Sequence, residues 1–143
     1  MQPYQIREAN ANDIPFIYAT WLNAIKNDSA VGLSTTKTVF YESYRLVLDN
    51  ILAKNSIVLV ACKQDEPNVI YGYMVSEDKK LHFTFVKEHF RELGIAKSLY
   101  NQSFGSGSDL IICTHKTNFV NGLMRDRPYL VYNPYLLYQT QET

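Results

Sequence analysis

The sequence predicts a single α/β (α+β) domain over residues 1-143, and three observations carry that reading. Two segments in the first third repeat their apolar residues at helical spacing. Three apolar runs in the middle are joined by short polar turns, the pattern of a β-meander. The last of those runs ends in a short turn with one glycine and passes into an amphipathic helix. A chain of 143 residues is long enough to bury one core and gives no sign of a linker between two.

Taken in order, Tyr4 to Glu8 reads as a short strand. Asn12-Asp13 then offers a helix cap, and Pro15 falls in the first turn, where its missing N–H is harmless. Ile14, Ile17, Tyr18, Trp21 and Ile25 follow on one helical face, and the helix is expected to stop near Asn27-Asp28. Ser29 to Thr36, small and polar, reads as a loop. A second helix is expected from about Thr38 to Lys54, with Phe40, Tyr44, Val47, Leu48 and Ile51 on one face. The meander follows: Ile57 to Lys63, a turn at Asp65-Glu-Pro67-Asn, Val69 to Val75, a turn at Glu77-Asp-Lys-Lys80, and a strand ending at Val86. The next helix runs from about Gly94 to Phe104, with Gly105 as its C-cap. Asp109 to Thr114 is a further strand. Asn118 to Arg125 reads as a short helix, and Tyr129 to Tyr138 as an edge strand interrupted at Asn133-Pro134, because proline cannot donate to a ladder.

Charge narrows the classes of partner. The 14 basic and 14 acidic side chains cancel, which argues against binding nucleic acid by broad phosphate neutralisation. Cys62 and Cys113 each sit in an apolar run and read as buried thiols of a reducing compartment. His82, His89 and His115 form no ligand motif with them, so no metal is expected. With no basic leader and no apolar run of about 18 residues, the expectation is a cytoplasmic protein without a membrane partner. Tyrosine occurs 11 times, several times near the C-terminus, where a tyrosine-rich edge strand could pair two copies as a homodimer.

Chemistry concentrates in Val86-Lys-Glu-His-Phe-Arg91-Glu-Leu-Gly94-Ile-Ala96-Lys-Ser-Leu99. A strand, a turn and a helix start hold anions well, because the first helical N–H groups have no internal acceptor and the helix dipole is positive there. The spacing is neither a Walker loop nor a dinucleotide fingerprint. Arg91-x-x-Gly94-x-Ala96 resembles the Gln/Arg-x-x-Gly-x-Gly/Ala motif of the GCN5-related N-acetyltransferase (GNAT) superfamily, which grips the pyrophosphate of acetyl coenzyme A. Val86, Phe90 and Leu99 also fit, and the order of elements matches that topology from Tyr4 to Thr114. The C-terminal part is shorter than the family's: Asn118-Phe-Val-Asn-Gly-Leu-Met124 only faintly echoes its fourth helix. Asp13 to Leu22 also looks like small phage-type members.

The resemblance implies a GNAT fold, with a central mixed, mostly antiparallel twisted sheet and helices on both faces. It implies acetyl coenzyme A as cosubstrate and a primary amine, on a small molecule or a protein, as acceptor. Thr84, Phe85 and Val86 would offer backbone groups to the pantetheine arm, and Val86 N–H would be the oxyanion donor. Arg91, Glu92, Leu93, Gly94, Ile95, Ala96 and Lys97 would ring the pyrophosphate, with Asn118 beyond them. Strand alternation places His82, Thr84 and Val86 on one face. His82 resembles the relay histidine of the arylalkylamine branch and is the candidate base; its other reading is a packed strand histidine. Histone-type members carry a glutamate near the start of this strand, where Lys80 stands here. Tyr129 and Tyr132 are candidate acids or edge-packing residues, and His115 a candidate site-lining group. Glu77 and Asp78 read as solvated turn residues, and Phe40, Tyr41 and Tyr44 as a border of the acceptor cleft or as core. A non-catalytic module that binds a protein partner through the same fold is the alternative.

Overall fold

A computed structural model describes residues 4–54, 56–91, 93–105, 110–115, 120, 124–125 and 130–138. The chain opens with strand β1 (Tyr4–Glu8), a short 3₁₀ turn (Ala11–Asp13) and helix α1 (Ile14–Asp28). The reversal between them is held by side chains. The Asn10 side chain accepts from Asn12 N–H, and the Asp13 carboxylate accepts from Asn10 N–H at 2.7 Å. Arg7 grips the same carboxylate with both terminal nitrogens, at 2.7 and 2.9 Å. Asp13 is the N-cap residue of α1, as expected, but makes no side-chain cap bond to it because its carboxylate is turned to Arg7; the side-chain cap is Asn10's, on the 3₁₀ turn.

The expected loop after α1 is instead a short helix, α2 (Ala30–Ser34). Ser29 caps it by accepting from Gly32 N–H at 3.0 Å. Gly32 allows the turn to fold back on α1, since a Cβ there would lie 2.3 Å from the Ile25 carbonyl oxygen. Helix α3 (Lys37–Ala53) begins behind Thr36, whose hydroxyl accepts from Val39 N–H.

The sheet has six strands in the order β1-β2-β3-β4-β5-β6. Strands β2 (Ile57–Lys63), β3 (Glu66–Glu77) and β4 (Lys80–Val86) form the meander, antiparallel throughout, with β1 antiparallel to β2. Strand β3 starts earlier than expected and carries Pro67; register shifts against Cys62 and Lys63 absorb it. Strands β5 (Ile111–Cys113) and β6 (Leu130–Tyr132) add on in parallel, β6 at the edge. The expected resumption of strand after Pro134 does not occur. Asn133 accepts from Tyr135 N–H, and Pro134–Tyr138 forms a 3₁₀ turn, for which proline at the first position is suited. Of the expected 118–125 helix, Val120, Met124 and Arg125 are described, and they are helical.

Helices cover both faces. Helices α1 and α3 bury Ile17, Trp21, Phe40 and Leu48 against Val60, Tyr73, Val75 and Phe83. Helix α4 (Ile95–Phe104) buries Ile95, Leu99 and Tyr100 against Leu59, Ala61, Tyr71 and Met74 on the other face. Alternation along β2 and β3 divides the strand residues between these two cores. No described helix is long and apolar enough to cross a membrane.

Candidate functional site

Helix α4 starts at Gly94, which has φ 81°, the left-handed region that costs a residue with a Cβ about 1–2 kcal/mol. A Cβ there would meet nothing within 4 Å, so conformation demands the glycine and the space outside it is clear. The first helical hydrogen bond runs from Ser98 N–H to the Gly94 carbonyl at 2.9 Å. The N–H groups of Ile95, Ala96 and Lys97 come before it and have no acceptor within the helix. The turn leading there is fixed to the sheet. Phe90 stacks on Tyr71 with ring centroids 3.9 Å apart, and Arg91 Nε donates to the Val86 carbonyl at 2.9 Å. Buried Ile95 and partly buried Leu93 anchor the turn in the α4-side core.

Beyond this turn, among the described residues, β4 and β5 pair at Lys80↔Ile112 and Leu81↔Cys113, with further bonds from Ile112 N–H to the Lys79 carbonyl and from Thr114 N–H to the Leu81 carbonyl; residues 116–119, which follow, lie outside the described residues. Phe83 to Val86 pair with β3. Lys87 N–H donates to the Tyr71 carbonyl, so alternation turns the backbone groups of Phe85 toward β3 and those of Thr84 and Val86 away from it. Thr84 is 8% exposed, and its hydroxyl has no partner among the described residues.

A bulge at the start of β4 re-aims the next side chain. Ser76 pairs with Leu81 but Val75 pairs with Phe83, which leaves His82 as the extra residue. Phe83 consequently stacks on Trp21, on the α1/α3 face, while Thr84, opposite Met74, and Val86 lie on the α4 face. His82 turns to Thr114 instead of sharing a face with Thr84 and Val86 as strict alternation required.

His82 belongs to a buried chain of hydrogen bonds. Its Nε2 lies 3.1 Å from Glu77 Oε1, and its Nδ1 lies 2.7 Å from Thr114 Oγ1. Thr114 Oγ1 in turn lies 3.0 Å from His115 Nδ1. Burial lowers the pKa of His82, partly offset by Glu77. Burial also pulls His115 down to about 3, so both rings are neutral at neutral pH.

No protein-family model and no curated protein matches the chain. Solved structures do. A Pyrococcus furiosus protein assigned as an acetyl transferase superposes with a TM-score of 0.59 over 99% of this chain and 96% of its own, at 12% identity. The GCN5-related N-acetyltransferase from Rhodopseudomonas palustris gives 0.57 over 88% and 81%, also at 12% identity. The chain has the GNAT fold. Apo YjaB from Escherichia coli shares it as well, with a TM-score of 0.53, 12% identity and 76% and 69% coverage.

On this GNAT fold, Thr84 and Val86 lie near the end of β4 and Arg91, Leu93, Gly94, Ile95, Ala96 and Lys97 in the turn and first helical turn that follow; Arg91 bonds back to Val86, and Val86, Leu93, Ile95 and Ala96 share one core. Phe85 stands among them in sequence, but its backbone is engaged with β3. Glu92, Asn118 and Tyr129 lie outside the described residues. His89 is exposed on the turn, and Tyr132 faces out from the edge strand. Glu77 is not a solvated turn residue: it ends β3, its side chain is 17% exposed, and it meets His82. Sequence reading missed Thr114, and the signal was slight, a threonine-histidine pair closing an apolar strand. Phe40 is core and stacks on Tyr44, whose ring also meets His115 edge-on at 5.8 Å.

Proposed function

We propose that this protein moves an acetyl group from acetyl coenzyme A to a primary amine of a small molecule or a protein. The observation that carries the reading is a helix N-terminus headed by left-handed Gly94, held against the end of β4 by the Arg91–Val86 hydrogen bond. The residues fit the coenzyme. Three acceptor-less N–H groups, on Ile95, Ala96 and Lys97, suit a pyrophosphate, and the clear space at Gly94 lets it approach the backbone. Arg91, held by its Nε on Val86, adds positive charge beside them. Thr84 turns its peptide groups away from β3, where an extended amide arm would pair as a strand does. Bound there, the coenzyme supplies an activated thioester.

The protein's own groups then have two tasks. Val86 N–H holds the thioester oxygen as negative charge develops on it. The hydrogen-bonded chain from Glu77 through His82 and Thr114 to His115, whose ring meets Trp21 on the α1/α3 face, supplies basic groups. The test is thiol release from acetyl coenzyme A across a panel of polyamines, arylalkylamines, aminoglycosides, amino acids and protein lysines, with the acetylated product weighed by mass spectrometry. Turnover on at least one amine is expected. No turnover, together with capture of a cellular protein that survives Gly94→Glu, would replace this reading with a partner-binding module.

A further inference from the structure

The hydrogen-bonded chain has a direction, and its free end is not on His82. An ionised Glu77 can only accept, so His82 Nε2 carries the proton it shares with that carboxylate. A neutral His82 then has a bare Nδ1, which accepts from the Thr114 hydroxyl. Thr114 Oγ1, having donated, accepts from His115 Nδ1–H. That leaves a lone pair on His115 Nε2. This nitrogen is buried, in a residue only 4% exposed, and has no partner among the described residues. Native proteins seldom leave a buried acceptor unmatched, and one that persists points to a group that arrives from outside. The imidazole lies edge-on to the rings of Trp21, with centroids 5.5 Å apart, and Tyr44, at 5.8 Å, both on the α1/α3 face.

We propose that His115 Nε2 is the proton-accepting atom for the attacking amine, and that Thr114, His82 and Glu77 carry the proton onward and return it. The proposal rests on the acetyl-transfer reading. As the new N–C bond forms, the amine N–H proton passes to His115 Nε2. His115 Nδ1 gives its proton to Thr114 Oγ1, Thr114 gives its own to His82 Nδ1, and His82 Nε2 gives its proton to Glu77 Oε1. The ring of His115 thus never holds a positive charge that its buried setting would oppose. Lys80 and Lys54, the cations near His82, likewise disfavour a charged ring there and favour passing the proton on to Glu77. As the C–S bond breaks, the same bonds run in reverse and His115 Nε2 delivers the proton to the departing sulfur. One proton moves from nitrogen to sulfur, every group in the chain returns to its starting state, and no separate acid is needed. His82, both of whose nitrogens are already engaged, is a positioning and relay residue.

Two measurements decide it. In histidine-¹⁵N-labelled protein without ligand, long-range ¹H–¹⁵N spectra should show His82 protonated at Nε2 and His115 protonated at Nδ1. The opposite tautomer on either ring would overturn the proposal whatever the enzyme does. With a responsive amine, Thr114→Val keeps the shape but removes the hydroxyl, and should lower kcat by roughly 10²-fold with KM unchanged. Thr114→Ser should restore most of it and the alkaline pH profile. Equal losses in both variants, which a packing role would give, would overturn the relay. Correct tautomers with no turnover on any amine would retire the acetyl-transfer reading and the proton-transfer step with it, while leaving the hydrogen-bonded chain as found.

Discussion

Gly72 links the stability of the sheet to the geometry of the site. It lies on β3 opposite Val86, and a Cβ there would stand 2.5 Å from the Phe85 carbonyl oxygen and 3.1 Å from Val86 Cα. Both neighbours are backbone, so Gly72→Ala can be accommodated only by moving β4 away from β3. Overpacking of this kind costs about 1–3 kcal/mol. The Lys87 N–H to Tyr71 carbonyl bond, 2.8 Å long and one residue away, weakens with it and adds about 1 kcal/mol. An unfolding entropy of about 0.3 kcal/mol/K for 143 residues turns a loss of ~2–4 kcal/mol into a fall in Tm of about 7–13 °C. Thermal unfolding followed by circular dichroism reads it, and urea titration should show a lower midpoint with an unchanged slope. The same displacement moves Val86, so affinity for coenzyme A should fall as well. A Tm within about 2 °C of wild type would refute the close-approach argument.

Two other outcomes follow from buried groups. Arg7 holds the Asp13 carboxyl below its ordinary 3.8, so the pair stabilises the fold above that value and the contribution is lost as acid protonates Asp13. Asp13→Asn should therefore be less stable at pH 7 by about 2–4 kcal/mol and should approach wild type below pH 3 in urea titrations; a constant difference down to that pH would contradict the pairing. Cys62 and Cys113 are fully buried, and burial pushes the Cys113 thiol up to about 11, so a disulfide reagent should label both only on unfolding. Rapid labelling of the native protein would place them elsewhere.

The parts legible in the sequence were those with a local cause. Helical spacing, capping glycines and polar turns gave α1, α3, α4 and the meander, because each depends on neighbours a few residues away. The turn from Arg91 to Lys97 was legible for the same reason, as a strand and a helix start lie on either side of it. The chain through Glu77, His82, Thr114 and His115 was not. It depends on a bulge that no composition signals and on a parallel pairing between segments 32 residues apart. Strict alternation therefore put His82 on the wrong face, and Glu77 was mistaken for turn. Helix α2 was hidden because Gly32 reads as a breaker, whereas here its missing side chain permits packing on α1.

Calorimetric titration of coenzyme A into the protein tests the central claim most directly. The account predicts a single site of micromolar affinity, about −8 kcal/mol, in the wild-type protein. Gly94→Glu should bring the site's affinity below detection, because it sets bulk and negative charge where the backbone N–H groups meet the pyrophosphate, while circular dichroism shows the fold retained. Equal binding by the two proteins, or none by the wild type, would contradict it.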